Sequence, residues 1–327
     1  MHHVQMKRVL LFSLLFTACA SVKTQIPGIS QSTIASEQEL QEKFAFSNID
    51  SLMTRLNRVA APILEANKEL CPKTRLDIGV TTHSLKSYSK YLKDAAEREL
   101  GAQKDVSILH VRPGSTAHKA GLKRGDIILS STQKPVSATG KRLQILLEES
   151  PNDLKVKRGE DIFSVSVEPV EICKYPVRLS PTSTINAYAD GNKITMTAGM
   201  MNFVKNDDEL ALILGHELGH NTMGHIRKVV TNLIVTLGKT RYTRPFESEA
   251  DYVGMYYMVR AGYNPDNVED VWRRLALTNP KSVVRAKTHP AYPDRYLTLA
   301  ATRDEINKKK ASGEALIPNF KIGEDVP

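Results

Sequence analysis

At 327 residues, 41% hydrophobic and 25% charged, the chain carries enough apolar material for two domains and too much for a disordered polymer. Its net charge of +9 suits anionic lipid headgroups or acidic unfolded polypeptides. Nucleic acid is not expected as a partner, because no basic stretch is interleaved with stacking aromatics and Lys308, Lys309 and Lys310 read as the solvated end of a helix.

The N-terminus reads as a targeting segment. Lys7 and Arg8 precede the apolar run Val9 to Phe16, and small residues lead to Cys19. Residues 1–18 are therefore expected to be a signal peptide, whose loss would take Lys7 and Arg8 with it and leave a net charge of +7. Phe16-Thr17-Ala18-Cys19 resembles a bacterial lipobox, with Phe where Leu is usual. That resemblance implies cleavage before Cys19, lipidation of Cys19 and a stable membrane anchor. Ala20, rather than Asp, follows the cysteine and favours the outer membrane of a Gram-negative envelope. The alternative is simple secretion with Cys19 irrelevant.

Residues 19–45, rich in Ser, Gln, Thr and Glu, read as a tether. Within 46–72, Ile49, Leu52, Met53, Leu56, Val59, Ile63 and Leu64 recur at helical spacing behind Ser47 or Asn48 as caps. The opposite face is not notably basic, so this helix is expected to pack on the domain that begins near residue 171 rather than on lipid. Of the three cysteines, lipidation would use Cys19 and leave Cys71 and Cys173 flanking one segment. In an oxidising compartment they would form a disulfide closing the base of an inserted domain; the alternative is two unrelated buried thiols.

Residues 73–170 form the inserted unit. Val111 to Leu129, running through Gly114, Gly121 and Gly125-Asp126, resembles the core of a PDZ domain: strand, turn, short helix, tight turn, strand. Lys155 to Gly159 followed by Phe163 to Val167 fits its closing hairpin. Such domains add a peptide as a strand and capture its carboxylate on backbone N–H groups. Leu76, Ile78, Gly79 and Val80 stand where that carboxylate loop is expected, and Ser84 to Leu100 looks like an insertion that obstructs or reshapes the groove. A PDZ-like spacer without a ligand is the other reading.

The chemistry is concentrated in residues 171–312. His216-Glu217-Leu218-Gly219-His220 is an H-E-x-x-H pattern, entered by the apolar run Leu210 to Leu214 without a proline. Positions four apart lie about 40° apart around a helix, so His216 and His220 present two imidazoles to one point. Zinc accepts such nitrogens, and a catalytic site uses three protein ligands with a fourth position left open. Glu217, beside a ligand, is placed to take a proton from the attacking water. Glu247 and Asp251 share a face if Arg244 to Asp251 is helical, which makes Glu247 the third ligand and Asp251 the acceptor for a ligand's spare N–H. Glu249, about 200° from Glu247, reads as a solvated charge. His225, about 140° beyond His220 on a continuous helix, reads as a packing or capping residue.

These motifs, together with His289-Pro290, Arg295 and the stretch Ile185 to Met200, resemble the zinc endopeptidase family that includes the CAAX prenyl protease, bacterial HtpX and periplasmic relatives. The resemblance covers roughly residues 171–300. It implies an α+β chain: a gluzincin-like metallopeptidase domain, mostly helical with a small sheet, and the inserted PDZ-like β-rich domain. It also implies one Zn2+ per chain, an edge strand that holds substrate by strand addition, His289 as oxyanion stabiliser or as occupant of the water's position in a resting state, and Arg295 as the residue that holds that region together. Pro290 and Pro293 leave a turn-stabilising role for His289 open. Only 26 residues, Asn221 to Phe246, separate His220 from Glu247, and Val229 to Leu237 is far shorter than the roughly 20 residues a membrane span needs. Residues 313–327 read as a tail. The expected function is hydrolysis of unfolded or misassembled envelope proteins on the periplasmic side of the outer membrane; the rival is a chaperone or assembly adaptor with a latent metal site.

Overall fold

The structure, a computed structural model, describes residues 26–149, 153–235, 244–278 and 292–319. The chain divides into two compact units, Met1–Leu40 and Gln41–Pro327. The described part of the first is exposed throughout.

Helix α1 runs Gln31–Ala66, so helix begins well before the expected caps and takes in residues 31–45 of the expected tether. The reason is local: Ala, Glu, Gln, Leu and Lys fill this stretch and are strong helix formers, whereas the sequence expectation weighed its polarity alone. The apolar positions anticipated from spacing do face inward, with Leu56 and Val59 fully buried. Asn67, just past α1, donates to Tyr257 O at 3.0 Å and accepts from Arg260 Nε at 2.9 Å, which ties this helix to the C-terminal helices.

Strands β1 (Thr74–Asp77) and β7 (Val170–Cys173) are antiparallel, Thr74 opposite Cys173, so the chain enters and leaves the inserted unit side by side. A disulfide joins Cys71 to Cys173 at that base, with Cα atoms 5.7 Å apart. Between them lie the pair β2 (Val80–His83) and β3 (Ser107–Val111), the sheet β4 (Ile127–Leu129), β5 (Leu154–Arg158) and β6 (Asp161–Val165), and helices α2 (Lys93–Leu100), α3 (Thr116–Lys119) and α4 (Lys141–Glu149). Ile78, Ile108, Ile128, Leu143, Leu154 and Val156 form their buried core. Asp50 of α1 accepts from His110 Nε2 at 2.7 Å and Arg124 Nη2 at 2.6 Å, a polar tie from α1 to this unit. The insertion Ser84 to Leu100 folds onto α1, where Ala95, Ala96 and Leu100 bury Phe46. Tyr88 and Leu92 of that insertion, Ile49 and Met53 of α1 and β2 wall a cavity of about 1040 Å³.

The remainder is mixed helix and sheet. Strands β8 (Val177–Ser180), β9 (Ala187–Ala189) and β10 (Ile194–Thr197) lie in the order β8-β10-β9, with β10 parallel to β8 and antiparallel to β9. Helices follow: α5 (Ala198–Phe203), α6 (Asp207–Thr222), α7 (His225–Val235), α8 (Arg244–Arg260), α9 (Asp270–Thr278) and α10 (Tyr292–Ser312). Asn206 caps α6 by accepting from Glu209 N at 2.9 Å, and three acidic residues occupy its first turn, where the helix dipole favours them. Every residue from Glu209 to Gly219 is buried, so α6 is the axis of the core and not an amphipathic surface helix.

Candidate metal centre

The site exists because two helices touch without side chains between them. A Cβ on Gly215 would lie 2.3 Å from Gly254 O, and one on Gly254 would lie 2.5 Å from His216 N. Glycine at both positions lets α6 and α8 approach backbone to backbone, which brings the first turn of α8 beside His216 and His220.

The two imidazoles sit with ring centroids 4.6 Å apart and Nε2 atoms 3.0 Å apart. Glu247 places Oε2 3.6 Å from His216 Nε2 and Oε1 3.6 Å from His220 Nε2. Among the described residues, His216, His220 and Glu247 form the group of three candidate ligands, with ligand atoms all within 4.8 Å of one another.

Each imidazole is oriented from behind. His216 Nδ1 lies 2.8 Å from Asp251 Oδ1, and Arg295 brackets that carboxylate, Nε to Oδ2 and Nη2 to Oδ1 both at 2.7 Å. Arg295 is itself buried, its guanidinium 3.6 Å from the centre of the Trp272 ring. Burial pushes against the Asp251 charge, and Arg295 outweighs it, holding the carboxyl below its usual range. Burial likewise opposes charge on His216, but Asp251 more than offsets this and raises the ring's pKa. His220, lacking such a partner, is pushed down to about 3, by burial first and by His216 next. Its Nδ1 lies 2.9 Å from His225 Nδ1, and His225 Nε2 lies 2.7 Å from Glu249 Oε2.

That last contact departs from the sequence expectation. The 140° offset holds only for a continuous helix, and α6 ends at Thr222; Gly224, at φ +65°, turns the chain into α7. His225 therefore swings back behind His220, fully buried, while Glu249 is a hydrogen-bond acceptor with only a third of its side chain exposed.

The donor set fits a cation. When His216 Nδ1–H donates to Asp251 and His220 Nδ1–H donates to His225, both Nε2 atoms carry lone pairs, and these face each other at 3.0 Å beside a carboxylate. Such a cluster is repulsive unless a positive centre is shared, and two imidazole nitrogens with one carboxylate oxygen are a zinc-type set that leaves an open position.

Glu217 is buried on the same helix. Burial pushes its pKa up and Glu247 adds to this, while His216, Arg295 and the Ala189 backbone N–H oppose. Ala189 belongs to β9, the edge of its sheet, and Tyr188 beside it is exposed. Asn221 at the end of α6 fixes that edge, accepting from Gly191 N at 2.8 Å and donating to Lys193 O at 3.2 Å. Sequence reasoning missed Asn221, though its place one residue after the motif on a buried helix was a signal. It also missed Gly215, Gly254 and Trp272.

Elsewhere, Gly79 N donates to the Asp77 carboxylate at 3.0 Å, and Asp77 is paired with Arg75 at 3.1 Å and Arg112 at 3.6 Å. One N–H of the expected carboxylate loop is thus taken by the loop's own side chain. Ile78 and Val80 are buried, and Leu76 is tied to Gln144 of α4 through both its N–H (2.9 Å) and C=O (2.8 Å). His289 and Cys19 lie outside the described residues.

Residues 163–237 and 228–303 match the pattern of peptidase family M48. The chain is 27% identical over 140 residues to the mitochondrial metalloendopeptidase OMA1 of Arabidopsis thaliana, covering 36% of this chain and 29% of that protein. It is 24% identical over 159 residues to the beta-barrel assembly-enhancing protease of Yersinia pestis, covering 36% and 32%. The chain thus spans about a third of the length of these relatives. A solved HtrA3 PDZ domain bound to a phage-derived ligand aligns with 25% identity and a TM-score of 0.23, covering 31% of this chain and 89% of that one. The M48 match bears out the peptidase-family resemblance drawn from the motifs.

Proposed function

We propose that this chain, similar over residues 163–303 to M48 peptidases, is a zinc-dependent endopeptidase of the bacterial envelope that cleaves unfolded or misassembled proteins. The observation that carries the reading is the convergence of His216, His220 and Glu247 beside the buried carboxyl of Glu217. His216, His220 and Glu247 hold one zinc ion in a gluzincin-like arrangement. A zinc ion there would supply Lewis acidity, polarising the scissile carbonyl and making water acidic enough to be deprotonated near neutral pH.

The chain's own residues do the rest. Glu217 takes the proton of the attacking water and delivers it to the leaving amine, and its burial tunes it toward holding a proton between these steps. Asp251, held by Arg295, fixes the His216 ring. The outer edge of β9 receives the substrate backbone as an added strand, and His289 stabilises the oxyanion. The PDZ-like unit, residues 73–170, recruits or regulates access of substrate to the peptidase domain, residues 171–312. Cleavage after residue 18 and lipidation of Cys19 anchor the protein to the periplasmic face of the outer membrane. None of the described helices is long and apolar enough to cross a membrane.

The test is Glu217→Gln in the full chain against an unfolded protein substrate. Zinc content is expected to be retained and cleavage to fall by about 100-fold to 10,000-fold, the range for loss of a general base. A variant that cleaves like the parent, or a parent protein whose cleavage survives complete chelation, would overturn the proposal.

A further inference from the structure

His220 is held differently from His216. Behind His216 stands a carboxylate locked by an arginine; behind His220 stands another imidazole, His225, and behind that Glu249. The hydrogen positions are fixed by the far end of the chain of contacts. Glu249 accepts from His225 Nε2–H, which leaves His225 Nδ1 a lone pair, and that lone pair accepts from His220 Nδ1–H. His220 Nε2 is then left as the nitrogen directed toward Glu247 and His216.

Three features cooperate in this. Gly224 breaks the backbone between α6 and α7 so that His225 returns toward His220, Phe246 stacks on the His225 ring at 4.9 Å with planes 24° apart, and α8 presents Glu249 two residues after Glu247. One short stretch of α8 therefore faces the site with Glu247 and supports His220 from outside with Glu249. We infer that His225 and Glu249 are positioning residues that fix the tautomer and ring orientation of His220 for metal binding, a counterpart to the Asp251 and Arg295 pair behind His216 in which an imidazole stands between the ligand and the carboxylate. This rests on His220 being a ligand, as proposed above.

The experiment measures zinc affinity of the full chain by chelator competition and, in parallel, the visible absorption of the cobalt-substituted protein, for His225→Phe, Glu249→Ala and Glu249→Gln. His225→Phe keeps the ring stacked on Phe246 and removes both nitrogens; zinc affinity is expected to fall about tenfold to 100-fold, with altered cobalt bands. Glu249→Ala is expected to weaken zinc binding by about threefold or more, and Glu249→Gln, which keeps an oxygen for His225 Nε2–H, to restore it close to the parent value. Because His225 is buried, the Glu249 series decides if His225→Phe fails to fold: affinity in the order parent, Gln, Ala supports the inference, and three equal affinities overturn it. Parent affinity and an unchanged cobalt spectrum in a folded His225→Phe also overturn it. A parent chain that takes up neither metal overturns the proposed function itself, a different outcome.

Discussion

Gly254→Ala asks the most of the geometry, because one methyl group pressed against the backbone of α6 is expected to undo a site without altering any ligating atom. The added Cβ would meet His216 N at 2.5 Å and Gly215 C and His216 Cα at 2.8 Å, where ordinary contact begins near 3.4 Å. Helices α6 and α8 must part by about 1 Å, since all three obstructing atoms are backbone and none can swing aside. Overpacking of this kind costs about 1–3 kcal/mol, and the three contacts place it near the top; better helix propensity returns about 1 kcal/mol, for a net loss of about 2 kcal/mol. The functional loss is larger, because a metal site tolerates about 0.2 Å while Glu247 and Asp251 ride on the helix that moves. Zinc affinity is expected to fall at least about tenfold and turnover about 100-fold. Gly219→Ala is the control: its Cβ would lie 3.3 Å from Ala250 O, a few tenths of an ångström too close, so stability should stay near the parent value. The assays are thermal unfolding of metal-stripped protein and chelator competition. Parent stability and affinity in Gly254→Ala, or greater damage from Gly219→Ala, would refute the reasoning.

Other expectations test other parts of the molecule. Burial, with Arg124 and His110 nearby, lowers the His83 pKa to about 4; the unfolded chain binds this proton first, so stability should be intact above pH 6.5 and decline as pH falls toward 4, by at most about 3 kcal/mol. Urea midpoints across that window should show the decline, and His83→Gln should flatten it; equal slopes in both proteins would contradict the assignment. The Cys71–Cys173 disulfide spans 102 residues, so Cys71→Ser with Cys173→Ser should cost up to about 5 kcal/mol in urea unfolding, whereas an unchanged midpoint would mean that the β1 and β7 pairing alone closes the loop. Asp77→Ala should free Gly79 N–H and strengthen binding of a peptide with an apolar C-terminal residue and a free carboxylate, read by fluorescence polarisation; no gain over the parent would show that the loop does not take carboxylates.

The parts of this molecule that were legible in the sequence are those in which side chains repeat at a helical or strand period. His216, His220, Glu247 and Asp251 could be assigned to faces because positions four apart on a helix point together, and the strands around Gly121 and Gly125 followed from turn chemistry. What stayed hidden has no side-chain signal or depends on a break in the period. Gly215 and Gly254 set the spacing of α6 and α8 through absent atoms, and nothing in either helix names the other as its partner. His225 was misplaced because the turn at Met223 and Gly224 resets the helical phase, and Glu249 was taken for a surface charge because its acceptor role depends on that reset. The start of α1 at Gln31 was hidden for a related reason, its amphipathic pattern starting later than its helix.

The most direct measurement is the metal content of purified full-length protein, paired with that of Glu247→Ala. One zinc per parent chain, removed by a chelator and largely lost from the folded Glu247→Ala variant, is the expected result. A parent chain free of divalent metal after growth with zinc, or full zinc occupancy without Glu247, would contradict a centre built from α6 and α8.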